Sequence, residues 1–465
     1  MPAEKNQLDL AEGDCITGTA DPACTHPVKD EETRDREPAR SGRGDFVARH
    51  GSTMLGQGLI LGLGVITGVL QARVLGPTGR GEFAAITIWP MTIANVLCLG
   101  LNQAITFNLS RRLFNMSEIA TATALIALVQ SALCIGIYLP IAHFAFGGRS
   151  PEMRMLGVAL VLFMPIYFLG GYSSNLFQGV HQLGKFNLLR ITTPACLAVG
   201  LLFLFLRHDH DLRFAVSSQI AGYIVTLLVG GFLIVRDLRP RIQWNRRTIP
   251  SLIDYGYRTQ ATNLTNLFNQ RFDQLALSVI VPPQQLGYYA VAVTLSTTVV
   301  VFPLAAGIVT FTRGSSQHSD DARDTIGESF RASFVWLLAS CAALFLLTPF
   351  LIHLVFGPTF EGSVLACRIL LPGSVMLGLN AVLYNGSSAL GRPGLPSVAE
   401  GLSMIVTAIG LYLLVPRYGY IGAAIVSTVA YTFSFVVMLI LGHRLLGLTL
   451  KTLLFGSRHA TQAEL

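Results

Sequence analysis

The sequence predicts an all-α polytopic membrane protein, with twelve transmembrane helices in two pseudo-symmetric six-helix lobes. Three observations predict it. The chain of 465 residues is 52% hydrophobic and only 13% charged, whereas a soluble domain carries about 25% charged residues. Its mean hydropathy is +0.55. Apolar residues gather into runs of the length a spanning helix needs, about 20 residues, and two short motifs recur at almost the same spacing along the chain.

The chain begins with a polar stretch. Residues 1–50 hold 7 Lys/Arg and 11 Asp/Glu, which is 18 of the 59 charged residues. No apolar run of signal-peptide length occurs there, so residues 1–48 read as a disordered charged tail. The first apolar segment, near Ser52, then serves as an uncleaved anchor. Twelve candidate spans follow: 52–73, 83–108, 118–142, 154–178, 186–206, 214–235, 257–280, 286–310, 329–353, 363–387, 395–415 and 419–442. They are helices, because a spanning strand needs only about 9–11 residues and an alternation these runs lack. The expected organisation is a tail (1–48), a first six-helix lobe (49–235), a basic linker (236–256), a second lobe (257–442) and a C-terminal tail (443–465).

Arginine and lysine set the orientation. The even-numbered connections and the two termini carry 23 Lys/Arg, the odd-numbered connections 7, and Arg258, Arg271 and Arg368 fall within spans. The positive-inside rule therefore places both termini and the basic linker "RDLRPRIQWNRR" (Arg236–Arg247) in the cytoplasm. The net charge of +7 belongs to these loops, so nucleic acid is not an expected partner.

The internal repeat is carried by two pairs of turns. "GEFA" (Gly81–Ala84) aligns with "GYYA" (Gly287–Ala290), an offset of 206, and "GVHQLGK" (Gly179–Lys185) with "GSSALGR" (Gly386–Arg392), an offset of 207. Chance similarity between glycine-rich turns is the competing reading. A helix count that puts a midpoint at the same place favours duplication. A six-helix unit is even, so both copies enter the membrane in one orientation, a design found in transporters.

The repeat makes the polar residues informative. In the first helix Thr53, Gln57, Ile60, Gly64, Thr67 and Gln71 follow the spacing of one helix face. Their counterparts in the seventh helix are Thr259, Asn263, Asn266, Gln270, Asp273 and Leu277, five of them polar. The second helix adds Thr92, Asn95, Asn102 and Thr106. Such stripes avoid lipid. They either bond helices together or line a wet cavity, and their recurrence in equivalent helices favours the cavity. Charges within spans are costly and functional by default; Arg258, Arg271, Asp273, Arg368 and Glu400 are the candidates. Arg271 and Asp273 are two residues apart and point to different faces.

Other signals carry less. The seven cysteines show no metal-ligand spacing, and those in spans read as small buried hydrophobes. "GVHQLGKF" imitates a phosphate loop, but Phe186 stands where Ser/Thr would hold Mg²⁺ and no strand precedes it. "RHDHDLR" (Arg207–Arg213) reads as a solvated loop. No GxSxG motif occurs. Neither an enzyme, a cofactor nor a metal site is expected.

Three segments carry a family resemblance: "ARVLGPTGRGEFAAITIWPMTIANVLCLGLNQAITF", "NQRFDQLALSVIVPPQQLGYYAVAVTL" and "VPRYGYIGAAIVSTVAY". Together, over roughly residues 50–442, the chain resembles the Wzx-type polysaccharide flippases of the multidrug/oligosaccharidyl-lipid/polysaccharide exporter (MOP) superfamily; the long charged tail departs from their pattern. The resemblance implies a MATE-like pair of lobes around a central cavity, alternating access, and a bacterial inner-membrane location. It implies a substrate in which a sugar or oligosaccharide is linked to undecaprenyl pyrophosphate, used for lipopolysaccharide or exopolysaccharide. It also implies H⁺ or Na⁺ as coupling ion, and a polysaccharide polymerase and glycosyltransferases as partners. On this reading Gln57, Asn95, Asn102, Asn263, Asn266 and Gln270 contact glycan, Arg258 or Arg368 contacts phosphate, and Asp273 couples the ion. A MATE-type drug/cation antiporter is the alternative; it would call for carboxylates and aromatics around a cationic drug.

Overall fold

The computed structural model describes residues 43–146, 150–315 and 319–455. The chain divides into two units, Met1–Ala48 and Arg49–Leu465. Of the first, only helical residues 43–48 are described; everything below concerns the second.

The described residues are helical, joined by turns and short irregular connections, with no strand among them. Eight helices are long and apolar enough to cross a membrane, and the pair Pro151–Leu162 and Met164–Gly179, bent by 43°, makes a ninth span. Two of the eight are double: Arg43–Leu97 breaks at Gly76 (φ 64°) and Leu395–Leu446 at Gly419 (φ 56°). Thr248–Ile280, at 33 residues, is long enough but rich in polar side chains. These are the twelve spans. We number them α1 (43–75), α2 (77–110, bent at Leu99–Gly100), α3 (Met116–Ala145), α4 (151–179), α5 (Leu183–Arg207), α6 (212–238), α7 (Thr248–Ile280), α8 (283–314), α9 (319–356), α10 (Ser363–Ala389), α11 (395–418) and α12 (420–446), followed by a short α13 (Leu450–Phe455).

Local sequence explains the ends. Gly76 takes a left-handed φ that a side chain would oppose, and Pro77 then opens α2, where its missing N–H costs nothing. The turn is so tight that α2 starts at residue 77, six residues before the predicted span, and this moves Arg80 from an expected loop onto a helix. Asn115 and Glu118 form a capping box at the start of α3, with Asn115 N–H donating to Glu118 Oε2 at 3.0 Å. Ser150 accepts from Met153 N–H at 3.3 Å ahead of Pro151, and Asp211 caps α6. Helix α7 begins at Thr248, inside the stretch expected to be linker.

The α1–α6 and α7–α12 bundles pack through small residues and buried hydrogen bonds, as helices in lipid do. Tyr172 donates to Gln130 Oε1 at 2.6 Å, joining α4 to α3, and the Thr193 and Thr226 hydroxyls, 2.8 Å apart, join α5 to α6. In the second bundle Thr428 of α12 donates to the Ile369 carbonyl of α10 at 2.6 Å.

Between bundles, α2 runs along α7 for most of its length. Trp89 Nε1 donates to Ser278 Oγ at 2.9 Å, Gln260 Nε2 to the Asn95 carbonyl at 2.8 Å, and Ser251 Oγ to Asn108 Oδ1 at 3.2 Å. Phe107 stacks on Tyr255 with centroids 4.1 Å apart. Gly100 and Gly256 touch backbone to backbone, and a Cβ on Gly256 would lie 2.3 Å from the Leu99 carbonyl oxygen.

The repeat reappears as a contact. A Cβ on Gly81 would lie 1.7 Å from the Pro283 carbonyl oxygen, and one on Gly287 would lie 1.9 Å from that of Pro77. Pro77 and Pro283 are themselves 206 apart. Two equivalent turns therefore cross on each other, and glycine at both positions is what allows it.

Candidate functional site: a cavity between the lobes

A cavity of about 860 Å³ lies between the bundles, walled mainly by α1, α2, α7 and α8. Ile60, Gly64, Val65 and Gln71 come from α1. Arg80, Thr87, Thr92 and Asn95 come from α2, and Leu267, Gln270, Arg271 and Gln274 from α7. Thr294, Thr297, Thr298 and Val301 come from α8. The α7 residues are spaced as i, i+3, i+4 and i+7, one helix face.

Its chemistry is polar and cationic. Arg80 and Arg271 both line it, and no Asp or Glu does among the described residues. Two buried polar atoms on this wall, Arg80 Nε and Gln71 Oε1, have no hydrogen-bond partner. An unpaired buried polar group costs about 1–3 kcal/mol, and such groups ask for an explanation such as a ligand.

Opposite the α2–α7 zipper, Gly68 of α1 packs on Thr294 of α8, where a Cβ would lie 3.3 Å from the threonine methyl. Beyond that point Gly64 and Val65 of α1 and Thr297, Thr298 and Val301 of α8 face the cavity. Val65 and Val301 are exposed, and the positions over Gly58, Gly62 and Gly64 are open space. At the end away from the basic connections, Arg73 of α1 donates to the carbonyls of Leu354 and Val355 at the end of α9, the latter at 2.8 Å.

The sequence-predicted residues divide. Asn95 and Gln270 line the central cavity. Asn102 lines a second compartment, within the first bundle, and accepts from Asn175 Nδ2 at 2.7 Å. The side chains of Gln57, Asn263 and Asn266 lie outside the described residues. Neither arginine expected to hold phosphate lines the cavity. Arg258 is exposed and pairs with Asp254 one turn away at 3.0 Å. Arg368 donates to the Phe345 carbonyl at 3.2 Å and lies over that ring, tying α10 to α9.

The polar face of α7 is also turned relative to expectation. It is Arg271 that looks into the cavity, while Asp273 is buried among second-bundle helices. Asp273 accepts from the Tyr289 hydroxyl, from Ser427 Oγ at 3.0 Å and from Gln274 N–H at 2.6 Å. One turn earlier Asn269 donates to Glu400, which also accepts from Tyr384 at 2.6 Å. Ser403 and Thr407 donate to Asn269 Oδ1 at 3.4 and 3.3 Å. Two buried carboxylates are thus held in one polar layer behind the cavity wall. Among the described residues no group of three His, Cys, Asp or Glu is placed to hold a metal ion.

Sequence reasoning missed Arg80, Gln274 and Asn269. In sequence Arg80 falls in a loop between spans, because the Gly76–Pro77 break hides how early α2 starts. Asn269 lay off the assumed stripe, although its spacing of four from Asp273 was visible.

Known proteins share this architecture. "Lipid II flippase MurJ, inward closed conformation" superposes with a TM-score of 0.70 at 16% identity, covering 83% of this chain and 86% of that one. A multidrug resistance MATE family transporter of the MOP superfamily, in an inward-facing conformation, also gives 0.70, at 15% identity over 84% and 94% of the two chains. At these identities the likeness is one of fold. In sequence, a Shigella flexneri protein named "Putative O-antigen transporter" is 21% identical over 369 residues, covering 76% of this chain and 87% of its own. The Haloferax volcanii protein named "Probable low-salt glycan biosynthesis flippase Agl15" is 21% identical over 256 residues, covering 54% and 53%. Residues 46–313, more than half of the chain, match the family described as Polysaccharide biosynthesis protein. The chain belongs to that family.

Proposed function

We propose that the protein is a flippase for a sugar or oligosaccharide carried on undecaprenyl pyrophosphate. It moves this lipid from the cytoplasmic to the outer leaflet of a bacterial inner membrane by alternating access, in the synthesis of a surface polysaccharide. The observation that carries the reading is the charge of the central cavity: two arginines and no carboxylate among its described lining. A pyrophosphate and its glycan are too polar to cross hydrocarbon unaided. Arginine suits phosphate through paired N–H donors, and the surrounding amides and hydroxyls suit sugar. The exposed Val65 of α1 and Val301 of α8, on the cavity wall, suit a polyprenyl tail that stays in lipid while the head group crosses.

A drug/cation antiporter is disfavoured by the same observation, since the buried carboxylates Asp273 and Glu400 stand behind the wall rather than in it. They suit a different task. A proton or Na⁺ taken up at this layer would alter the packing of α7 against α11 and α12, and α7 is a cavity wall. Asp273→Asn is expected to make transport insensitive to imposed H⁺ and Na⁺ gradients. Unaltered gradient dependence would remove Asp273 from the coupling.

The reading is tested by complementation. The chain is expressed in bacterial strains that each lack an O-antigen or exopolysaccharide flippase, and surface polysaccharide is measured. Restoration in at least one strain is expected. Failure in every strain with full membrane expression, together with resistance to cationic toxins, would favour the antiporter.

A further inference from the structure

The first bundle holds a compartment that the central cavity does not account for. Its volume is about 410 Å³, and α2, α4, α5 and α6 enclose it, with Ile60 from α1. No second-bundle residue lines it among the described residues. It adjoins the central cavity: Ile60, Met91, Asn95 and Gln219 line both.

Aromatic faces and amides meet on its walls. Tyr167 and Tyr223 pack edge to face, with centroids 5.2 Å apart and planes at 67°. Gln219 donates to the Tyr223 hydroxyl at 2.9 Å, and Asn175 donates to Asn102 at 2.7 Å. One cation lines it, Arg190, whose guanidinium lies 5.0 Å from the Phe186 ring centroid. Gly171 of α4 leaves part of the wall bare: a Cβ there would meet nothing within 4 Å. Its neighbour Gly170 instead faces α6, with a Cβ 3.4 Å from Leu227 N.

This combination is the chemistry of sugar recognition. The C–H face of a pyranose packs on aromatic rings, and its hydroxyls exchange hydrogen bonds with amides that both donate and accept. A polyprenyl tail would call for aliphatic walls, and a pyrophosphate for converging cations, which the adjoining cavity supplies. Ligand pockets span about 300–1,000 Å³, so this one admits about one or two sugar units.

We propose that the first-bundle compartment is the glycan subsite. The sugars nearest the pyrophosphate enter it past Asn95 and Gln219 while Arg80 and Arg271 hold the phosphates. The inference rests on the flippase reading above and adds a division of labour: the arginines of the central cavity recognise the carrier, and the aromatic and amide walls of the first bundle recognise what it carries.

The test compares two lipids on the purified full chain in lipid nanodiscs. One is bare undecaprenyl pyrophosphate. The other is the undecaprenyl-pyrophosphoryl oligosaccharide extracted from a strain the chain complements. The variant Gly171→Phe fills the compartment, and Gly171→Ala is its control. Wild type and Gly171→Ala are expected to bind the glycosylated lipid at least about fivefold more tightly than the bare one, the worth of one or two net contacts. Gly171→Phe is expected to lose that gain and keep its affinity for the bare lipid. A wild type that gains nothing from the glycan, or a Gly171→Phe protein that keeps the gain, overturns the proposal. Should Gly171→Phe lose both lipids, Tyr167→Leu decides: loss of the glycan gain alone supports the subsite, and full retention overturns it. If the wild type binds neither lipid, the flippase reading itself fails.

Discussion

On the proposed reading, Arg80 is the residue on which binding of the carrier turns. It lines the cavity with its Nε buried and unpartnered, one turn into a helix that the Gly76–Pro77 break starts early. A charged hydrogen bond is worth about 1.5–3 kcal/mol, so Arg80→Ala is expected to weaken binding of undecaprenyl pyrophosphate by about 10-fold or more. Arg80→Lys, which keeps the charge but not the fork, is expected to recover only part of it. Binding titrations in nanodiscs measure both, and equal affinities for all three proteins would take Arg80 out of the site. Individual residues were the least legible level of the sequence. Asn95 and Gln270 line the cavity, as polar side chains at helical spacing lead one to expect of a wet face. Arg258 and Arg368 stand out in sequence as charges inside spans, and in the structure each is engaged, with Asp254 and with Phe345. Periodicity gives the face of a helix to within about one residue, and on α7 that residue separates Arg271, in the cavity, from Asp273, behind it.

At the scale of elements, glycine decides how closely the lobes approach. The crossing of α2 and α8 at Gly81 and Gly287 brings backbone carbonyls where any side chain would sit. These atoms cannot swing aside as a flexible side chain would, so a methyl group there must separate the helices. Gly81→Ala and Gly287→Ala are each expected to open this end of the molecule. The pair Thr78 and Gln284, related by the same 206-residue offset, reports on it. Spin labels there, in a cysteine-free background, should show a longer distance distribution in either variant. An unchanged distribution would mean that the crossing does not hold the lobes together. The duplication itself was readable, because turn glycines survive as sequence. Their mutual contact was not readable, because an offset says which positions are equivalent and not that they touch. The twelve helices were readable for a simpler reason: the bilayer imposes a length and a composition. Their ends moved, most where Gly–Pro replaced a loop, where α7 reached back to Thr248 and where α9 started at Ser319.

The two bundles meet along α2 and α7, beside a cationic cavity. Helix α2 is zipped to α7 from Trp89 to Asn108, while Val65 of α1 and Val301 of α8, both on the cavity wall, are exposed. A carrier lipid held by its head group between the lobes, with its tail leaving past Val65 and Val301, fits that arrangement. Movement to the other leaflet would have to break the glycine crossing and the Arg73 bonds to α9. The measurement that tests this account most directly is transbilayer movement in a defined system. The full chain is reconstituted into proteoliposomes with fluorescent undecaprenyl-pyrophosphoryl N-acetylglucosamine, and the lipid reaching the opposite leaflet is captured by an external lectin. The wild type is expected to move the lipid faster than protein-free vesicles do, and an Arg80→Ala/Arg271→Ala variant, equally reconstituted, is expected to match the protein-free rate. A double variant as fast as wild type would contradict the account, and so would a wild type no faster than bare lipid.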